Sequence, residues 1–369
     1  MAELIRNLAR RGHNLKLIAF LQDTEHPEEL RPLYPYLQAA RCFPAVQRRG
    51  ERDPFRLLPV NFRWPEVMGE LALDLSWADV AHFEYLDTAH LKPEFCPVPT
   101  VLTHHEIQTE TWLDYASRAP ICSKERVVCI YRAARAYRLE TLSLRRFSRV
   151  VALTEQDQDA LFSLDPRASV ALSRMGVDLK TFTPHAGPGE AGSLLYVGYY
   201  RHRPNADAAL WLAKEIFPLI KQERPEATLT LAGSHPTPEI LALAGKDIRV
   251  PGWVHDLRPL YAQAQVFVAP IRTGRGMRGK LLEALAMERP VVATTLAAAG
   301  LGALDGVQLR LADKASDFAK AVVQVMEHPE QAARMAEQGR KRAETFGWDR
   351  IAEDYESLFY EVVDECRKA

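Results

Sequence analysis

VPGWVHDLRPLYAQAQVFVAPIRTGRGMRGKLLEALAMERPVVATTLAAAGL, residues Val250 to Leu301, is the stretch that decides the fold. Gln265 to Ile271 is a short apolar run ending in a turn, the pattern of a parallel strand covered on both faces. Gly274 and Gly276 then let the backbone approach a ligand closely, and Arg275, Arg278 and Lys280 bring positive charge. An amphipathic helix runs on through about Met287, its first amides directed at the same place. Pro290 opens a second buried strand, PVVAT. Together these make one βαβ unit, and open α/β sheets bind ligands at the ends of such strands. The arrangement suits an anion, a diphosphate above all. A glycine-rich turn can also do no more than close a βα connection. Lys280 and Glu283, at i,i+3, can likewise be an ordinary helix ion pair worth about 0.2–0.5 kcal/mol.

The whole pattern, Gly274-x-Gly276-x-Arg278-x-Lys280-x-x-Glu283-Ala284 followed by PVVAT, is far more specific. It closely resembles the C-terminal half of glycosyltransferase family 4, the retaining sugar transferases of GT-B fold. The resemblance implies that Glu283 binds the ribose hydroxyls of a nucleoside-diphosphate sugar. It implies also that Arg278 and Lys280 hold the diphosphate, with Gly274, Gly276 and Arg275 in the same donor site. The family's E-x7-E pattern has Arg275 where its first Glu stands, a departure common in the G-x-G-x-R-x-K subgroup. Glu288 occupies the place of a helix-ending glycine.

The resemblance runs from about residue 2 to 362. RVVALTEQDQDAL is similar to the family's strand-then-helix segment, and MGVDLKTFTP to its interdomain N-G-V-D-x-x-x-F-x-P, with Met175 where Asn is usual. YVGYYRHRPNADAALWL resembles the opening of the second domain. There Tyr199 and Pro204 replace the usual Arg and Lys, so Gly198, Arg201 and Asn205 enter the donor site with His202 and Arg203 beside them. Asn205 is also a good helix N-cap, and solvated arginines beside a cap are a competing reading. Val254, in Gly252-Trp253-Val254, is where the resemblance places backbone contacts to the nucleobase; Asp256 reads as a helix cap. His105, after the strand PTVLT, matches the family's histidine near the donor sugar, and His104 fills the variable place. His105, Arg278 and Lys280 are the expected catalytic residues.

Length and composition are those of an ordinary soluble globular protein. The 369 residues are 47% hydrophobic and 26% charged, ample for two or three domains. A net charge of −1 gives no reason to expect a nucleic-acid partner. The five cysteines are scattered and unpaired in sequence, so neither a disulfide framework nor a zinc site is expected, and a cytoplasmic setting fits. No apolar run approaches the ~20 residues of a membrane span. A basic helical region, 118–149, has Arg and Lys outnumbering acids and could touch an anionic membrane or a phosphorylated acceptor; a solvated helix face is the more ordinary reading of such a run.

Along the chain, Met1–Arg11 reads as a helix, Leu15–Phe20 as a strand, and the next forty residues as surface helix and loops. Trp77–Glu84, Pro99–Thr103, Val150–Leu153 and Ala168–Leu172 read as strands, with one long helical region over Ser117–Arg149. After a polar linker at His185–Gly192, strands SLLYVG and ATLTLAG alternate with helices at Ala206–Gln222 and near Pro238–Leu243. Trp348–Val363 is amphipathic, with Ile351, Tyr355, Leu358 and Val362 on one face.

The expected architecture is α/β, a GT-B fold of two Rossmann-like parallel-sheet domains facing a cleft. Residues 1–184, completed by a helix over 348–369, form the acceptor side, and 193–347 bind the nucleotide sugar. Met1 opens inside the helix ending in R-R-G-H, so the first domain is expected to lack its usual first strand and glycine-rich loop. The expected reaction transfers sugar from the donor to a hydroxyl acceptor with configuration retained, without cofactor or metal. A non-catalytic or degenerate sugar-nucleotide-binding protein and a sugar-nucleotide epimerase are the alternatives on the same fold.

Overall fold

The computed structural model describes residues 1–21, 26–44, 65–185 and 187–368. The chain divides into two compact units, Met1–Arg174 with Trp348–Ala369, and Met175–Gly347.

In the first unit α1 (Ala2–Arg10) buries Leu4, Ile5 and Leu8 and ends at Gly12, whose φ of +96° turns the chain. β1 (Lys16–Leu21) pairs in parallel with β2 (Ala39–Pro44), Lys16 opposite Ala39. After α2 (Pro65–Trp77) come β3 (Ala81–Glu84), β4 (Thr100–His104), the hairpin of α3 (Gln108–Arg118) and α4 (Lys124–Arg146), β5 (Arg149–Ala152), α5 (Glu155–Leu164) and β6 (Val170–Leu172). β3-β4-β5-β6 form a second sheet, parallel throughout.

Two apolar layers cover these strands. On one side Val67, Phe83, Leu102, Phe147, Val150 and Leu161 form a core, against which Phe20 of β1 and Phe43 of β2 pack. On the other, Leu4 and Leu8 join Val101, Val151 and Ile351, Tyr355, Leu358 and Val362 of the C-terminal helix, with Leu15 and Val80 against them. β1-β2 and β3-β6 therefore share the first of these cores, while among the described residues no strand pairing joins them.

The second unit is one six-stranded parallel sheet. Its elements are β7 (Glu190–Val197), α6 (Arg203–Trp211), α7 (Phe217–Glu223), β8 (Thr228–Ala232), α8 (Pro238–Leu241), β9 (Ile248–Gly252), α9 (Arg258–Gln263), β10 (Ala264–Ala269), α10 (Gly279–Ala286), β11 (Val291–Ala293), β12 (Arg310–Leu311), α11 (Ala315–Glu327) and α12 (Pro329–Glu344). The strand order is β12-β11-β10-β7-β8-β9. α13 (Trp348–Lys368) then returns to the first unit.

Several boundaries differ from the sequence reading. Residues 175–184, expected with the first domain, pack in the second unit, because the Val177 N–H donates to Phe346 O at 2.8 Å and Val177 bridges Gly347. The strand expected from Trp77 begins at Ala81, since Trp77 is the last residue of α2. The single helix over Ser117–Arg149 is two, broken at Pro120 and restarted by Ser123, whose hydroxyl accepts from the Arg126 N–H at 3.1 Å. The helix expected over Ala206–Gln222 carries a π-turn at Leu212–Ile216, just ahead of Pro218. Half of the forty-residue stretch read as surface helix and loops after Phe20, and Ala186 of the linker, lie outside the described residues, but Ala39–Pro44 within that stretch is β2.

Candidate functional site

β7 and β10 are neighbours although far apart in sequence. The chain leaves β7 toward β8 on one side, and β10 toward β11 on the other. Their C-terminal ends therefore form the switch point of the sheet, where open α/β folds take ligands. Two turns meet there. Gly198–His202 follows β7, and Arg272–Arg278 follows β10. The second turn packs on α6, which follows the first, since a Cβ on Gly274 would come 2.8 Å from Pro204 Cγ, and Arg272 Nη2 donates to Asp207 Oδ1 at 2.7 Å.

Gly274 and Gly276 have φ of +83° and +82°, the left-handed region that other residues enter at a cost. Arg278 supports the turn from inside, its guanidinium donating to Arg275 O at 2.9 Å and Thr273 O at 3.3 Å. α10 starts immediately beyond, so its first N–H groups open onto the loop. Lys280, exposed on the first turn of α10, pairs with Glu283 at 2.8 Å. Glu283 also accepts from the Tyr261 hydroxyl at 2.9 Å, whose oxygen lies 3.1 Å from Lys280 O. Burial and the Glu283 carboxylate push the Tyr261 phenol well above its ordinary value, so it stays a donor.

In the first unit, β4 sends two adjacent histidines to different places. His104 is fully buried, with neither ring nitrogen hydrogen-bonded, and burial lowers its pKa to about 4. His105, one residue past the strand, is partly exposed and its Nε2 lies 2.5 Å from Glu84 Oε2. Glu84 ends β3, the neighbour of β4, with Glu84 opposite Thr103.

Comparison with known proteins agrees with this geometry. Residues 191–328 match the family model described as glycosyl transferases group 1. A Klebsiella pneumoniae protein, described as an uncharacterized 44.6 kDa protein in the cps region, is 28% identical over 140 residues, 36% of this chain and 36% of its own length. That match thus spans about a third of the curated relative. Among solved structures, Anabaena HepE in complex with UDP and glucose superposes with a TM-score of 0.71 at 14% identity, over 97% of this chain and 95% of that one. A glycosyltransferase from Rickettsia africae gives 0.68 at 14% identity, over 98% and 94%. Sucrose-phosphate synthase from Thermosynechococcus elongatus gives 0.67 at 16% identity, over 95% and 100%. The fold is GT-B. Residues 191–328, most of the second unit, are thus similar to glycosyl transferases group 1.

Within the second unit of this GT-B chain, the expected donor residues fall at the C-terminal ends of β7, β9 and β10. Gly198 lies so close to the end of β8 that a Cβ on Gly233 would collide with Gly198 O. Arg201 is exposed in the turn after β7, and Val254 is half-buried just past β9. Arg275 is half-buried in the loop itself. Asn205 is not the N-cap; α6 starts at Arg203, and the Asn205 amide reaches back to donate to Tyr199 O at 3.0 Å. Pro204 at the second position of α6 moves the helix start forward, since it needs no N–H there. Asp256 is not the N-cap of α9 either, since Leu257 holds that position; its carboxylate instead accepts from the Arg258 N–H at 3.0 Å and pairs with the Arg258 guanidinium at 2.8 Å. Sequence reasoning missed Tyr261 and Glu84. Both act through partners about twenty residues away, a separation with no local periodicity to reveal it.

Proposed function

We propose that this chain is a retaining glycosyltransferase of the family 4 kind, moving a hexosyl group from a nucleoside-diphosphate sugar to a hydroxyl acceptor. The observation that carries it is the two-glycine, three-cation loop between β10 and α10 at the β7/β10 switch point. There Arg275, Lys280 and the first amides of α10 stabilise charge developing on the leaving diphosphate, Arg278 holds the loop in shape, and Glu283 receives the ribose hydroxyls. The bond from C1 to the β-phosphate oxygen breaks, and a bond from C1 to the acceptor oxygen forms on the same face. The acceptor's proton leaves with the diphosphate, so His105 orients the reacting groups rather than removing that proton. UDP-sugars are the first donors to test, because the related HepE structures hold UDP, glucose and UDP-glucose.

Incubation with a panel of radiolabelled UDP-, GDP- and ADP-sugars tests this. Sugar on an added acceptor, or slow release of free sugar, is expected with at least one donor, and His105→Ala should abolish it while leaving nucleotide affinity unchanged. A second reading, a donor-binding protein without transfer, is favoured by the lack of strand pairing between β1-β2 and β3-β6 among the described residues, which leaves the sheet of the first unit in two parts. Thermal stabilisation by nucleotides with no turnover would select it. We propose further that α4 touches an anionic membrane, because Val127, Ile130 and Tyr137 are exposed on one face with Lys124 and Arg138 nearby. Co-sedimentation with anionic but not neutral vesicles would support that contact.

A further inference from the structure

The Glu84 carboxylate has two histidines on it. His105 Nε2 lies 2.5 Å from Oε2, and His82 Nε2 lies 3.3 Å from Oε1. Glu84 is largely shielded, with its side chain 14% exposed, and the chargeable groups facing it are His82, His105, the Met1 ammonium and the phenols of Tyr85 and Tyr355. Burial works against its charge, but the two histidines and the ammonium outweigh burial and hold it below the ordinary carboxylate range. An ionised carboxylate only accepts hydrogen bonds. The Nε2 of His105 must therefore carry a proton, which leaves Nδ1 of the neutral ring as the nitrogen with a lone pair.

Two other contacts fix the same ring and its support. Tyr85 adopts φ of +68°, a conformation that costs a bulky residue energy, and stacks on the His105 ring at 3.9 Å between centroids and 18° between planes. His82 is held 2.8 Å from Thr103 Oγ, which lies 3.1 Å from the Tyr355 hydroxyl of α13. The His82 ring also packs on those of Tyr355 and Phe359. Glu84 is thus set from behind by a fixed histidine, and it sets His105 in front. Nothing in this chain of contacts is needed for a surface histidine that merely meets solvent.

We infer that Glu84 is a positioning residue, which fixes the orientation and tautomer of His105 so that Nδ1, with its lone pair, is the nitrogen offered to a substrate hydroxyl. The inference rests on the transferase reading for what His105 then does, but not for the geometry. Tyr85 closes one face of the ring and Glu84 occupies Nε2, so Nδ1 is the nitrogen left to act. A hydroxyl of the sugar or the acceptor that donates to Nδ1 would be aligned without any net proton transfer. The strained Tyr85 and the buried carboxylate are then features of preorganisation, in place before substrate arrives.

The test is imidazole nitrogen NMR on the full chain, with His105 assigned by its disappearance in His105→Gln. Expected at about pH 8 is a His105 Nε2–H proton protected from solvent exchange, with an unprotonated Nδ1. An Nδ1–H tautomer in the wild type overturns the inference without recourse to any variant. Glu84→Gln keeps an acceptor and should keep the protected Nε2–H; Glu84→Met, similar in size without an acceptor, should lose it. Turnover on a donor found active should fall about tenfold or more in Glu84→Met, and recover in Glu84→Gln, with nucleotide Kd unchanged within about twofold. A protected Nε2–H that persists in Glu84→Met, or turnover unaffected by its loss, would also overturn it. If Glu84→Met does not fold, the wild-type tautomer and Glu84→Gln still decide. Should no donor be turned over while the tautomer is as expected, the transferase reading fails and the positioning by Glu84 stands.

Discussion

Replacing Glu140 by glutamine should remove a pH dependence from the stability of the first unit. Glu140 sits on α4, is fully buried, and accepts from the Gln108 N–H at 2.8 Å, the Thr109 N–H at 3.3 Å and the Thr109 hydroxyl at 2.5 Å. It thus receives the orphan amides that open α3. Burial outweighs those hydrogen bonds and raises its pKa from the ordinary 4.5 to about 7. A carboxyl raised on folding favours the folded state most below its unfolded pKa, and that advantage is lost as pH rises through the folded value. For a shift of this size, the loss from about pH 5 to 8 comes to about 2.5 kcal/mol. In Glu140→Gln the new amide would not titrate, its carbonyl can take the two backbone N–H groups, and its NH2 can donate to Thr109. Urea unfolding followed by circular dichroism at several pH values measures the difference. Relative to the Glu140→Gln variant, the wild type should lose about 2.5 kcal/mol in the first unit's transition over that range. A wild-type-to-variant difference that stays flat with pH would refute the argument, and would mean that water or a local rearrangement solvates the carboxylate.

Gly274→Ala would force a Cβ to 2.8 Å from Pro204 Cγ at φ +83°, so it should cost roughly 1–2 kcal/mol and weaken nucleotide binding about tenfold; an unchanged Kd would mean the loop is not part of the site. Glu288 occupies the left-handed end of α10 at φ +55°, so Glu288→Gly should gain about 1 kcal/mol in a thermal or urea melt, and a loss would mean its side chain contributes more than the strain costs. Amide exchange should be faster in β1 and β3, each paired on a single side among the described residues, than in β7 and β10, which are paired on both; equal protection would mean the first unit's strand edges are satisfied by some other route.

Much of the second unit was legible in the sequence because its signals are local. The β10–loop–α10–β11 succession, the positive φ glycines and the Lys280–Glu283 pair all follow from short spacings within Val250–Leu301. The buried face of α13 was readable for the same reason, through the spacing of Ile351, Tyr355, Leu358 and Val362. What escaped was decided by contacts between distant segments. The tethering of Glu283 by Tyr261 depends on α9 packing beside α10, and the seat of His105 depends on β3 lying beside β4. β2 was hidden for a different reason, since Ala39–Pro44 contains Arg41 and Cys42 among its apolar residues and lies half-buried at the edge of a two-stranded sheet. Arg278 was read as a ligand for phosphate, and its bonds to Arg275 O and Thr273 O give it the further task of shaping the loop.

The central claim is that the loop after β10 and the first turn of α10 hold the diphosphate and ribose of a donor, and calorimetric titration of UDP, GDP and ADP tests it most directly. At least one nucleotide should bind the wild type, and Lys280→Ala and Glu283→Ala should each weaken that binding by about 1.5–3 kcal/mol, the loss expected for a charge-assisted hydrogen bond. A nucleotide that binds wild type and both variants equally well would contradict the account and move the donor site away from α10.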